Sequence, residues 1–264
     1  MKPAKFLFVL SLIVIAACST AHKKVSVEQD IAPLWKLGYE HLDILVAAFE
    51  QKDAPRKYAL HSVEDTMLTA NMIVERWQFS WEDDEYEIVE SDSYIKAQHR
   101  AGAMHYYKVL NYTIHSDEDG GFAMELETIE SPDGEVQFLV RSEGAGIIMD
   151  IFDLGQITHR NYDELPAPYG YSNSKLRALA HGEEFSYCTF DSDKLDIATF
   201  NNKAVREGNI LKILSKEERG ATTEVHLNQE AEVIYMSTEG LKFEKCDVDS
   251  ALAERQGHQM SGQN

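Results

Sequence analysis

The chain predicts an α+β protein: an N-terminal helical segment packed on a large antiparallel sheet, either a β-meander or a partial barrel. Three observations carry that expectation. Leu34, Leu42, Leu45, Val46 and Phe49 recur at helical spacing. From Met72 onward the apolar period becomes two, and turn chemistry such as "SDEDGG" and "SPDGE" separates the alternating runs. With 264 residues, 44% apolar and 10% aromatic, the chain can bury a sizeable core.

The first segment is "MKPAKFLFVLSLIVIAACST". Lys2 and Lys5 precede an apolar run from Phe6 to Ala17. That run falls short of the roughly 20 residues that span a bilayer and fits the apolar region of a signal peptide. Ile15, Ala16, Ala17 and Cys18 then resemble the lipobox of bacterial lipoproteins. The resemblance covers about the first 20 residues and leaves the body unassigned. It implies that residues 1–17 are removed and that Cys18 becomes the first residue, its thiol carrying a diacylglyceryl group, with acyl chains such as palmitate anchoring the protein. Each buried methylene of such chains contributes about 0.8 kcal/mol. Ser19, where a sorting Asp would stand, implies the outer membrane, facing the periplasm or the surface. Residues 18–29 read as a polar tether.

A helix is expected from about Ile31 to Gln51, capped by Asp30 and tolerant of Pro33 in its first turn. A second, from about Tyr58 to Asn71, has Leu60, Val63, Met67 and Ala70 on one stripe, with strand as the alternative. In "IVERWQFSW" Ile73, Trp77, Phe79 and Trp81 share one face of a strand. "MHYYKVLNYTI", "GFAMELETI", "EVQFLV" and "IIMDIF" complete a first half over 30–154. Pro166, Pro168 and Gly170 mark 155–177 as a crossing loop or boundary. A second β-rich half follows over 178–250, and 251–264 reads as a flexible tail.

The formal charge is −20, from 25 basic and 45 acidic side chains, and becomes −22 once Lys2 and Lys5 are lost. Such a surface repels phosphate backbones, so nucleic acid is not an expected partner. With Cys18 lipidated, Cys188 and Cys246 remain as a candidate disulfide pair in an oxidising compartment. Alternation gives neither of them the context of a deeply buried core thiol.

No motif identifies a reaction, and none calls for a cofactor or a metal. "GYSNS" has Ser174 where the nucleophile elbow needs Gly, and "GAGIIM" has Met149 where a dinucleotide fingerprint needs Gly. Asp191, Asp193 and Asp196 depart from the calcium-loop pattern, and Glu82–Glu87, "EDDEYE", reads as a hairpin tip. A hydrolase would have only Ser172 with His159 or His181 as nominees. Trp77, Phe79 and Trp81 are either core or the wall of an apolar ligand cavity. In the order of its elements the chain is similar to envelope lipoproteins with half-barrels and a helix across the mouth. The expected function is a non-catalytic binding or scaffolding role at the membrane surface, reached through the N-terminal lipid. The partner would be an envelope protein, or alternatively a hydrophobic ligand carried in a curved sheet.

Overall fold

The computed structural model describes residues 42–261, apart from 64–67, 99–103, 119, 154, 192–195, 218–221 and 239–240. The expected signal peptide, Cys18, the tether and the first part of the N-terminal helix lie outside the described residues. Helix α1 (Leu42–Glu50) is followed by β1 (Arg56–Val63), β2 (Leu68–Trp81), β3 (Asp84–Gln98), β4 (Met104–Ser116) and β5 (Phe122–Ser131). Next come β6 (Gly134–Glu143), β7 (Gly146–Asp153), β8 (Gln156–Tyr162), α2 (Asn173–Ala178) and β9 (Glu184–Asp191). The chain closes with β10 (Asp196–Glu207), β11 (Ile210–Glu217), β12 (Thr222–Leu227), β13 (Val233–Thr238), β14 (Leu241–Cys246) and α3 (Val248–Ser261).

All fourteen strands form one sheet, in the order β8-β7-β6-β5-β4-β3-β2-β1-β14-β13-β12-β11-β10-β9. Every ladder is antiparallel: hairpins dictate this for successive paired strands, and β1 and β14, which no hairpin joins, pair in the same sense. Flat, the sheet would hold β8 and β10 roughly 60 Å apart, at about 4.8 Å per strand. Instead the Tyr162 hydroxyl at the end of β8 donates to Asp196 Oδ1 at 3.0 Å. Phe138 of β6 meets Phe190 of β9 with ring centroids 4.8 Å apart. The sheet is therefore curled into an unclosed, barrel-like form.

Alternation assigns its faces. On β2, Leu68, Ala70, Met72 and Val74 join the large inner cluster, which also takes residues from both ends of the sheet. Trp77 and Phe79 point outward into a second cluster with Leu42, Leu45 and Ala48 of α1. The Trp77 indole N–H donates to the Ala48 carbonyl at 2.6 Å, so the buried ring keeps its polar end satisfied. The Lys52 ammonium lies 4.4 Å from the Trp77 ring and pairs with Glu75 and Glu90. Farther along the same outer face, Ile73 packs with Ala59 and with Ala251 of α3. Arg255 clamps that helix to the sheet by donating to Asn71 Oδ1 and Asp92 Oδ2, each at 2.5 Å.

Three expectations are corrected here. Residues 58–71 are not a helix but belong to β1 and β2, with Ala59 opposite Ile73. β1 is central, paired with β2 and β14, and its two ladders override a short helical stripe. The C-terminal segment is helical as far as Ser261, because Ala251 and Arg255 dock α3 on the sheet. The expected loop is shortened, since Gln156–Tyr162 forms β8. The acidic "EDDEYE" is a hairpin tip as read: Glu82 and Asp83 have φ of 50° and 75°, the two left-handed positions of a tight turn whose twist suits paired strands.

Removing the indole at Trp77 vacates the seat of α1 and orphans the Ala48 carbonyl. Trp77→Ala should lower the unfolding free energy by about 3–5 kcal/mol in chemical denaturation; a loss under about 1 kcal/mol would mean that α1 is not held by this ring.

Candidate functional site

On β4 and β5 the usual inside-apolar pattern inverts. Leu110, Tyr112, Ile114, Met124 and Leu126 face outward into the cluster under α1. Their alternates Asn111, Thr113, His115, Glu125 and Glu127 face inward and are nonetheless buried. The curled sheet thus encloses a polar layer.

Glu125 and Glu127 stand two residues apart on one face of β5, which puts both carboxyl groups side by side. The Asn111 amide bridges them, donating to Glu125 Oε1 at 2.7 Å and to Glu127 Oε2 at 3.3 Å. The Tyr169 hydroxyl donates to Glu125 Oε2 at 2.7 Å and accepts from the Phe190 backbone N–H at 3.2 Å. Burial pushes Glu127 up to about 8, its neighbour Glu125 pushes it further the same way, and the Asn111 bond opposes them. Burial also raises Glu125, against its bonds from Tyr169 and Asn111. Near neutral pH Glu127 is therefore a neutral acid. The pair borders a narrow recess completed by Phe138, Val140 and Phe190. Two carboxyls held by an amide and a phenol can store a proton and offer one hydrogen-bond donor to that recess.

The segment 163–183 roofs one end of this interior. Tyr169 bridges to Cys188 at the outer edge of β9, and Leu176 and Leu179 enter the inner cluster. Asn173 Nδ2 donates to Glu87 Oε2 at 2.9 Å, and Lys175 Nζ donates to the Gly120 carbonyl at 3.1 Å. His115, opposite Glu87 in the ladder, sits beneath Gly170. At Gly170 a Cβ would lie 2.9 Å from the ring nitrogen and φ is +64°, so both contact and conformation select glycine. Burial, then Lys175, lowers His115 to about 4, leaving its imidazole neutral.

The residues nominated from sequence fall elsewhere. Trp77 and Phe79 are core beneath α1, and Trp81 packs partly buried against the same cluster; none borders the recess. Ser172 caps α2, its hydroxyl accepting from the Lys175 N–H at 3.3 Å. His159 stands exposed on β8, bonded to the buried Asp150, and His181 accepts from the Arg206 N–H at 3.2 Å. The expected Cys188–Cys246 bridge is not formed: both thiols are free, on strands with four others between them. Cys188 is fully buried, contrary to its strand context, because Tyr169 and Pro168 cover β9 there. Glu125, Glu127, Asn111 and Tyr169 were missed. "MELETI" alternates so regularly that its acidic face reads as solvated; the usable signal was the equally apolar outer alternates, which need a cover of their own.

No family model and no curated protein matches the chain. Among solved structures it is similar to the crystal structure of a β-barrel-like protein of the domain of unknown function DUF1849 from Brucella abortus. The TM-score is 0.53 at 10% identity, covering 72% of this chain and 94% of that one. At that identity the likeness is one of fold, a large antiparallel sheet of barrel-like form.

Two predictions follow from the buried groups. Unfolded Glu127 ionises near 4.5, folded near 8, so between these values the native state holds the extra proton and stability falls as pH rises. His115 acts oppositely below 6.5, where unfolding takes up its proton. Between pH 6.5 and 8 the Glu127 slope stands clear of it, and Glu127→Gln should flatten denaturation free energy against pH by up to about 1.4 kcal/mol per unit. Burial, then Glu254 and Asp247, raises the half-buried Cys246 to about 11. In native protein at pH 7.5 iodoacetamide should therefore modify Cys246 slowly, and Cys188 only on unfolding, as read by peptide mass spectrometry.

Proposed function

We propose that this chain is a lipid-anchored protein of the bacterial cell envelope whose barrel-like body binds a partner protein rather than transforming a substrate. The Lys2–Cys18 segment, with its resemblance to a lipobox, supports the location, and Ser19 favours the outer membrane. One observation carries the binding role. The inner face is filled by the protein's own side chains, with Tyr169, Leu176 and Leu179 of the crossing segment packed among residues from both ends of the sheet. A body whose interior is filled in this way meets its partner on its outer surface. Among the described residues no helix is long and apolar enough to cross a membrane. Ser172, His159 and His181, each engaged at a different place, give no support to a hydrolase.

The curled, unclosed sheet favours a second reading, a carrier of a hydrophobic ligand. The recess walled by Phe138, Val140 and Phe190 has no room for a water molecule, so a ligand would enter only where the crossing segment parts from the inner cluster. Native and peptide mass spectrometry of the full-length chain from an envelope extract separates the two. The N-terminal peptide should begin at a lipid-modified Cys18 and the body should retain a protein; an unmodified peptide containing Met1 would overturn the anchor, and a retained lipid would favour the carrier.

A further inference from the structure

The sheet has two edges, and the chain treats them differently. At β9 the crossing segment covers the edge: Cys188 N–H donates to the Pro168 carbonyl and Gly170 N–H to the Cys188 carbonyl, both at 2.8 Å. At β8 no strand or loop pairs with the outer side among the described residues. Every residue of Gln156–Tyr162 is exposed or half-exposed. β8 holds no Lys and no Pro, and its ladder with β7 runs from Ile147↔Tyr162 to Asp153↔Gln156 without a bulge, so what guards this edge is the charge beside it. An open run of backbone N–H and C=O groups pairs with an added strand.

We propose that the β8 edge docks an extended segment of a partner protein, about seven residues long, uncharged in its middle and carrying Lys or Arg near each end. The inference rests on the partner-binding reading above. The length follows from β8 itself, seven residues from Gln156 to Tyr162. The charge follows from what brackets the edge: exposed Asp153 at one end, and exposed Asp163, Glu164 and Asp196 at the other. Within β8 the only charged side chain is Arg160, beside Tyr162. The formal charge of −20 adds a long-range pull on a basic segment. A second copy of this chain fits poorly. Antiparallel self-pairing centred on His159 would set Asp163 and Glu164 of one copy beside Asp153 of the other, like charge against like.

The probe is a nine-residue peptide of alternating Thr and Val with Lys at both ends, added to the full-length chain in detergent; its twin has Glu at both ends. Hydrogen exchange should slow in the Gln156–Tyr162 region with the Lys peptide alone. A triple variant, Asp153→Asn, Asp163→Asn and Glu164→Gln, should weaken its binding about five- to tenfold without unfolding the exposed surface. Asn161→Pro, which removes an N–H that the alternation of the β7 ladder turns to the outer edge, should also weaken it, and circular dichroism will show whether that variant folds. No slowing at β8, equal binding of both peptides, or a β8-mediated dimer in light scattering would each overturn the proposal. If the envelope-purified chain retains a lipid while the Lys peptide still protects β8, only the partner-binding reading fails.

Discussion

Strands β8 and β9 follow one another in the chain yet lie at opposite edges of a fourteen-stranded sheet. The rest of the architecture depends on that constraint. Residues 163–183 must join the two edges, and the contact between Tyr162 and Asp196 shows that the sheet closes most of the distance by curling. The connecting segment then does what a mere loop does not. Tyr169 ties β5 to β9 through one hydroxyl, and Leu176 and Leu179 fill space that the curl leaves between facing strands. A curled sheet without that filling would expose its inner apolar face along an open seam.

Curling also decides which residues are core. Strand β2 is buried over most of its length on both faces, because its inner side meets the lumen while α1 and α3 cover the outer side. Next to it, β4 and β5 reverse the ordinary assignment: apolar residues serve the helix outside, and polar ones line the interior. Burying Glu125 and Glu127 together is costly as a charged pair. The cost is limited by protonation of Glu127 and by donors from Asn111 and Tyr169. Polar groups are thus used to fasten the crossing segment, where apolar packing alone would fix it less specifically.

The antiparallel sheet and the hairpin tip at Glu82–Asp83 were legible because both are local: period two, and a turn whose residues accept left-handed angles. The aromatic alternation of Trp77, Phe79 and Trp81 was legible as well, though whether it faced a helix or a cavity depended on α1 arriving from elsewhere in the chain. Residues 58–71 misled because a stripe of four apolar side chains fits a helix as well as two strands, and only the pairing of β1 with β14, nearly 200 residues away, decides between them. The polar layer was illegible for the same reason. Glu125 and Glu127 look like a solvated face until β9 and Tyr169 are brought over them.

The acidic surplus then takes two roles that composition alone merges. Inside, where two carboxyls share a dry recess, the acid is kept neutral and acts as a hydrogen-bonding group. Outside, acidic side chains stand at the two ends of β8, whose outer side no strand or loop pairs among the described residues. Acidic flanks cannot satisfy that backbone, but they repel the partner that every sheet edge most readily finds, another copy of itself. Guarding by charge leaves the edge usable by a segment of opposite sign, whereas the guard at β9, a covering loop, leaves nothing to bind. The two edges differ because the crossing segment emerges from the C-terminal end of β8 and returns alongside β9, covering the edge of the strand it enters and, among the described residues, leaving uncovered the edge of the strand it departs.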